Sequence, residues 1–129
     1  ERLLSILKDT ENKFFSLTYE DLARSAVMWI SGSNYFEIGR WWDRNAEIDL
    51  VGMNREEKRI LLGEVKWSER PVTTDIFAAL REKAYLPRWD EFKEKEYAIF
   101  SRSGFTKALV DEAKSDRSLV LFHGDKRIV

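Results

Sequence analysis

The chain has 129 residues and a formal net charge of −1, which favours a single globular domain without an overall basic field. It contains no Cys, so disulfides and thiolate metal sites are excluded. No apolar stretch approaches the roughly 18 residues of a membrane span, and no signal peptide is visible. We therefore expect a soluble cytoplasmic protein with no membrane partner. Because the first residue is Glu1 rather than Met, we also expect a fragment of a longer chain.

The amino-terminal part of the chain predicts helical structure. Apolar residues between positions 3 and 7 indicate a helical segment within residues 1–17, which precedes a domain of residues 18–129. Thr18 can cap a second helix, because it is followed by an acidic residue three positions later and by an apolar stripe. This helix is expected to end at Gly32.

After this helix the hydrophobic period changes to that of strands. The strands are predicted at 35–42, 46–53, 60–68, 97–100 and 119–122, and further helices at 74–86 and 105–115. The second and third strands are expected to pair as an antiparallel hairpin across a polar turn, and Pro87 ends the helix after them. Hairpin strands followed by strand–helix–strand crossovers predict an α/β fold, with a mixed sheet and helices on both faces.

Two neighbouring strands of this predicted sheet interrupt apolar runs with charge. Glu64 and Lys66 lie two residues apart in "LLGEVKWS", so their side chains share a face, and Asp49 interrupts "IDLV" on the preceding strand. Four other Glu-x-Lys pairs lie in polar stretches and are expected on solvated surface. Burying an unpaired charge costs several kcal/mol or shifts its pKa, so groups placed together gain partners. The cluster is either a functional site or a satisfied ion pair on a solvent-facing side of the hairpin.

The functional interpretation of this cluster is a metal site. Two carboxylates from adjacent strands suit a hard cation such as Mg²⁺, which takes oxygen ligands and keeps several waters. A lysine beside the cation can orient a metal-bound water or hold a charged phosphate. Asp49, Glu64 and Lys66 therefore form a plausible site for metal-assisted hydrolysis of a phosphodiester.

The order of elements and these residues resemble the PD-(D/E)xK nuclease superfamily, which has the restriction-endonuclease-like fold. That family has an αβββαβ core, an Asp on the second core strand and (D/E)-x-K on the third. Here the matching residues are Asp49 and Glu64-Val65-Lys66, with fourteen residues between the two acids. Ile48, rather than Pro, precedes Asp49. A Glu on the first helix is frequent in the family and would be Glu20 in "TYEDLA".

A closer resemblance is to the domain at the C-terminal end of a class of archaeal P-loop ATPases. The phrases that carry it are "IGRWWDRNAEIDLV", "LLGEVKWS" and "IFSRSGFT", which occur here in that order. The resemblance spans roughly 18–122. No GxxxxGK[ST] sequence occurs in the chain, so the resemblance implies a fused or associated ATPase partner that lies outside it.

The resemblance also implies a role for each site residue. Asp49 would bridge the metal, Mg²⁺ or Mn²⁺, while Glu64 and the backbone carbonyl of Val65 would complete the protein ligands. Lys66 would position the attacking water. Glu20 would support the metal or its water, although a carboxylate at that position could equally stabilise the helix N-terminus by about 0.3–1 kcal/mol.

Two functions follow from these patterns. The first is a metal-dependent nuclease that hydrolyses DNA. The second is a catalytically inactive module of the same fold that binds DNA or protein for the ATPase. A homodimer formed through spare Trp surface is a further possibility.

Several other residues carry two interpretations each. Glu47 could support Asp49 or be an exposed partner of an Arg. Lys83 could face the site, as basic residues do in related nucleases, but an ordinary exposed helix lysine is the favoured interpretation. "RWWDR" at 40–44 could grip nucleic acid by stacking, although alternation sends Trp41 and Trp42 to opposite faces, so one of them is expected in the core.

The loop "SRSG" at 101–104 precedes a predicted helix. Its backbone N–H groups could bind an anion, but helix capping by Ser103 is the simpler explanation. His123 is the only His, so no His-based triad or His-rich metal site can be built, and we interpret it as structural.

Overall fold

The computed structural model of the chain describes Asp21, Ala23, Arg24 and residues 35–44 and 46–129. Asp21, Ala23 and Arg24 are helical, in agreement with the helix predicted after Thr18. The predicted helical segment at 1–17, the Thr18 cap, Glu20 and the helix end at Gly32 lie outside the described residues.

In the described ranges, six strands form one sheet in sequential order. Their bounds are β1 (Glu37–Trp42), β2 (Glu47–Asn54), β3 (Arg59–Lys66), β4 (Glu94–Ser101), β5 (Leu119–His123) and β6 (Lys126–Arg127). Strands β1, β2 and β3 are antiparallel neighbours, β3, β4 and β5 are parallel, and β6 is antiparallel to β5. The predicted mixed sheet and its β2–β3 hairpin are confirmed, whereas the two-residue β6 was not anticipated.

Two α-helices carry the parallel crossovers, and both pack on the same face of the sheet. Helix α1 (Thr74–Lys83) buries Phe77 and Leu80, and α2 (Lys107–Ser115) buries Leu109 and Ala113. These side chains join one hydrophobic cluster with alternate residues of the central strands. A short 3-10 helix (Pro87–Trp89) follows α1 and adds Trp89 to the same cluster.

The opposite face of the sheet has its own hydrophobic cluster. It contains Leu50, Leu61, Ala98 and Phe100, and the helical residue Ala23 is fully packed against them. Helical residues therefore cover both faces, as the α/β prediction requires. Within the described part of the chain, no helix is long and apolar enough to cross a membrane.

The cap of α2 corrects one sequence prediction. Thr106, not Ser103, is the N-cap residue, and its hydroxyl accepts a hydrogen bond from the Leu109 N–H. The Ser103 hydroxyl instead donates to the Ser68 carbonyl across two loops. The side chain that the local sequence predicted as the helix cap therefore forms a tertiary hydrogen bond instead.

The sheet is irregular where β1, β2 and β3 meet near Asp49. Gly39 and Trp41 pair with Val51 and Ile48, so β2 takes three residue steps where β1 takes two, which is a bulge on β2. The β2–β3 ladder ends at the Leu50–Gly63 pair, while β3 stays paired with β4 as far as Lys66. This arrangement leaves a gap between β2 and β3 at the end of the sheet where the charged residues lie.

Candidate functional site

Asp49 occupies the gap where the β2–β3 ladder stops. Its Oδ2 accepts a hydrogen bond of 2.9 Å from the backbone N–H of Val65 on β3. The carboxylate takes the place of a strand carbonyl as the partner of that N–H, which satisfies a backbone donor that the interrupted ladder would otherwise leave unpaired. A bulge that re-aims a side chain into a sheet gap is typical of functional sites.

Glu64 and Lys66 follow on β3, on the face that α1 covers. The Lys66 Nζ lies 3.3 Å from Glu64 Oε2, and the Glu64 side chain is only 16% exposed. Val65, between them, turns its side chain into the opposite core cluster. The prediction that Glu64 and Lys66 share a face is therefore confirmed, and Asp49 joins them through Val65.

The electrostatics of Glu64 show that the two carboxyl groups are close. Burial raises the pKa of Glu64, and the negative charge of Asp49 raises it further, whereas Lys66 and Lys83 lower it. A carboxyl group in this setting is stabilised as an anion by nearby positive charge and by hydrogen bonds, both of which Lys66 supplies. A cation placed between the two carboxylates would supply such charge.

Lys83 corrects a sequence prediction, because it is not an ordinary exposed helix lysine. Its Nζ donates a 2.7 Å hydrogen bond to the Glu47 carbonyl and lies 4.0 Å from Glu64 Oε1. Helix α1 thus delivers a second ammonium group to the site, on the side of Glu64 away from Lys66. In the sequence, the indication of this role was the position of Lys83 near the end of α1. The contact of Lys83 with Glu64 follows from the way the helix crosses the sheet.

Arg24 is a site neighbour that the sequence reasoning missed. Its guanidinium approaches the backbone carbonyl of Asp49 to 3.5 Å and forms an ion pair with Asp21. In the predicted helix, Arg24 lies one turn after Glu20. That spacing was the feature of the sequence that could have identified Arg24 as a neighbour of the site. The predicted role of Glu20 itself falls outside the described residues.

The residues present fit a divalent cation with few protein ligands. In the described ranges, no group of three or more His, Cys, Asp or Glu side chains is placed to hold a metal. Asp49 and Glu64 provide two carboxylates, which is the number that Mg²⁺ sites commonly use together with waters. Since N–H and C=O of one strand residue point to the same side, the Val65 carbonyl faces the gap that its N–H faces.

Glu47 and Trp41 have structural contacts, whereas Trp42 is exposed. Glu47 forms an ion pair with Arg40, which confirms the interpretation of an exposed acid that partners an Arg. Trp41 packs edge-on against Trp89, with ring centroids 5.5 Å apart, whereas Trp42 is 67% exposed. The prediction that the two Trp residues diverge is therefore confirmed.

The "SRSG" loop is held by its own hydrogen bonds. The buried Ser101 hydroxyl donates to the Gly104 carbonyl and accepts from the Ser103 N–H. His123 places Nε2 3.1 Å from the Arg102 carbonyl, and its ring packs against Gly104. These contacts give His123 the structural role that the sequence predicted.

Comparisons with known proteins give a family and two likenesses. The model of the DUF234 family, described as archaea bacterial proteins of unknown function, matches residues 1–83. An uncharacterized protein of Methanocaldococcus jannaschii is 33% identical over 104 residues, which cover 74% of this chain. The match covers 23% of that protein, so the chain corresponds to about a quarter of its length. The solved EndoMS–dsDNA2 complex contains a chain that aligns with a TM-score of 0.47 and 12% identity, over 81% of this chain and 45% of that one.

Proposed function

We propose that the chain, which belongs to the DUF234 family of archaeal and bacterial proteins of unknown function, carries the active site of a metal-dependent DNA nuclease. The observation that supports this proposal most directly is the convergence of three groups at one sheet gap. Asp49 crosses the gap to the Val65 N–H, and Glu64 lies beside it with Lys66 3.3 Å away.

Each residue has a proposed role in hydrolysis of a phosphodiester. Asp49, Glu64 and the Val65 carbonyl would hold Mg²⁺ or Mn²⁺. The bound cation supplies Lewis-acid stabilisation of the phosphate and lowers the pKa of a coordinated water. Lys66 would position the attacking water, and Lys83 would attract the negative phosphate. Glu20 would support the metal ligands from the first helix.

The charge of the site supports a phosphate-bearing substrate. Asp49 and Glu64 bring two negative charges to the gap, and Lys66 and Lys83 bring two positive charges to Glu64. A divalent cation adds two further positive charges, which anionic phosphate groups would offset. The enclosed positive charge would thus favour a polyanion over a neutral substrate.

We further propose that the nuclease works with a P-loop ATPase in the same or an associated chain. The support is the resemblance of the three phrases at 38–51, 61–68 and 99–106 to the C-terminal domain of archaeal ATPases. The match to only 23% of the length of the archaeal relative is compatible with such an arrangement.

The test is cleavage of plasmid and branched DNA with Mg²⁺ or Mn²⁺ by the wild type, Asp49→Asn and Lys66→Ala. We expect both variants to lose cleavage by at least a hundredfold, because each removes a group that acts on the reacting phosphate. Asp111→Asn and Lys107→Ala are the matched controls, since these two residues pair with each other on the outer surface of α2.

Circular dichroism and thermal unfolding of all variants separate lost chemistry from lost fold. Full cleavage by Asp49→Asn, with its fold intact, would refute the nuclease proposal. An inactive wild type that still binds metal would instead direct the search to the ATPase partner.

A catalytically inactive binding module is the second candidate. Its specific support is that Glu64 already lies within 4.0 Å of two ammonium groups, so the cluster can be satisfied without a cation. This candidate predicts that wild type and Asp49→Asn bind DNA equally well and that neither shows metal-dependent turnover.

A further inference from the structure

An exposed aromatic and basic surface lies at the turn between β1 and β2, at the same end of the sheet as the acidic site but on the opposite face. We define it as the hairpin surface, formed by Arg40, Trp42 and Arg44. The Trp42 side chain is 67% exposed, and the Arg40 guanidinium lies 5.8 Å from the centre of its indole ring. An indole left in water beside guanidinium groups offers a flat apolar face, and Asp43 and Glu47 line the same hollow together with the two arginines.

The turn that presents this surface is held in place. The Asp43 N–H donates to the Ala46 carbonyl and the Ala46 N–H donates to Asp43 Oδ1, both at 2.9 Å. Arg40 is fixed by its ion pair with Glu47 on β2. Trp42 is therefore next to a turn that is closed by these two hydrogen bonds, which lowers the cost of ordering the protein side when a ligand stacks on it.

The hairpin surface is tied to the acidic site by the backbone of β2. Trp42 pairs with Glu47, and Asp49 follows two residues later, which is about 7 Å along a strand. Lys83 bonds to the Glu47 carbonyl and lies 4.0 Å from Glu64, so it bridges the two regions. A nucleic acid strand with a phosphate at Asp49 would thus reach Trp42 with its neighbouring nucleotides by passing around this end of the sheet.

We infer that Trp42 is a stacking platform for an unpaired nucleobase, so that the site takes DNA with a single-stranded or frayed segment beside the scissile phosphate. This inference deepens the proposed nuclease function and rests on it. A paired base keeps both faces in its own stack, whereas an unpaired base exposes a face that the indole can cover. The arginines of the hairpin surface complement the phosphates on either side of that base.

The neighbouring Trp41 makes the assignment of Trp42 more specific. Trp41 is packed on Trp89 in the core and also lies under the Arg88 guanidinium, so it serves the fold. The Trp42 side chain lies on the other face of β1, and 67% of it remains exposed. Its large exposed ring is thus not required by the core of the described domain.

The experiment measures DNA binding in EDTA, where cleavage cannot occur. Fluorescence anisotropy compares the binding of three kinds of DNA: a single-stranded oligonucleotide, the blunt duplex of the same sequence, and a series of single strands. Each strand of the series carries one abasic position at a different place in the oligonucleotide. Trp42→Ala should weaken single-strand binding by roughly 5- to 150-fold, while Trp42→Phe keeps most of the affinity. Blunt-duplex binding should change by less than about threefold.

Phe36→Ala is the matched control, because Phe36 is 74% exposed just before the opposite end of β1, about 20 Å along the strand. It should leave single-strand binding unchanged. One abasic position should weaken the wild type as much as Trp42→Ala does, and it should cause no further loss in that variant.

Equal single-strand affinity of wild type and Trp42→Ala would overturn the inference, and so would a wild type that prefers blunt duplex. Asp49→Asn distinguishes this failure from that of the nuclease proposal. If stacking is right and the nuclease proposal is wrong, Asp49→Asn and wild type show the same single-strand preference, and neither cleaves DNA.

Discussion

Gly63 controls how closely β2 and β3 approach beside the site. A Cβ atom added at Gly63 would lie 2.6 Å from Leu50 Cδ2, 2.9 Å from Leu50 Cβ and 3.2 Å from the Ala98 carbonyl oxygen. Leu50 lies within the bulge, directly after Asp49, so its displacement would be passed to the carboxylate. Gly63→Ala therefore tests whether the gap depends on close packing of the two strands.

The expected cost comes from overpacking rather than from backbone strain. The new methyl group must move Leu50 by roughly 1 Å, and forced displacement in a well-packed core typically costs about 1–3 kcal/mol. Replacing Gly by Ala also stabilises by about 0.4–1 kcal/mol through the unfolded state. The net expectation is a loss of about 1–2 kcal/mol, or roughly 3–10 °C in Tm for a chain of this size.

The assay is urea unfolding of Gly63→Ala, Leu50→Ala and the double variant. Truncating Leu50 removes the 2.6 Å contact, so the double variant should be less destabilised than the sum of the single variants by about 1 kcal/mol. Additivity within about 0.3 kcal/mol would refute the reasoning. Gly63→Ala should also weaken Mn²⁺ binding through the shift of Asp49, whereas Gly39→Ala, which has open space around its Cβ, should not.

Two further predictions concern Lys83 and Tyr97. Lys83→Met should lower the rate of DNA cleavage and destabilise the fold by about 1 kcal/mol, because the hydrogen bond to the Glu47 carbonyl is lost. Lys107→Met, at a position 92% exposed, should change neither quantity in the same cleavage and urea assays. Burial raises the pKa of Tyr97 from 10.0 to about 12, so the unfolded chain loses this proton first. Stability that is fully present below pH 10 should therefore fall by about 1–2 kcal/mol between pH 10 and 12. Tyr97→Phe should remove that part of the pH dependence, and an identical slope in both proteins would contradict the assignment.

The strand order was predictable because the sequence carries two distinct hydrophobic patterns. Strands β4 and β5 are short continuous apolar runs, which is what parallel strands buried on both faces require. Strand β3 is apolar from Ile60 to Gly63, and the β2–β3 ladder ends at Gly63, an end that the sequence prediction of a strand at 60–68 did not locate. The boundaries differed by up to three residues because the ends of strands depend on partners rather than on local sequence.

The parts that escaped prediction depend on tertiary placement. The bulge on β2 exists only in relation to β1, since Asp49 and Leu50 show no local irregularity in sequence. Thr106 rather than Ser103 caps α2 because the helix begins at Lys107, and the Ser103 hydroxyl bonds to the Ser68 carbonyl instead. The location of Lys83 was decided by the direction in which α1 crosses the sheet. Each of these features depends on residues that are far apart in the sequence, and the hydrophobic period of a single segment does not predict such contacts.

The same tertiary placement bears on the choice between a nuclease and a satisfied ion cluster. A pair formed for stability alone would need one acid and one base, and replacing it by apolar residues would often be neutral or favourable. Here two strands bring two carboxyl groups to one gap and α1 adds the Lys83 ammonium, while burial and the charge of Asp49 raise the pKa of Glu64. The sheet also interrupts its β2–β3 ladder to admit Asp49, whose carboxylate must then replace a strand carbonyl. These costs bring no evident gain in packing, and the proposed cation site would account for the pairing of the two carboxylates.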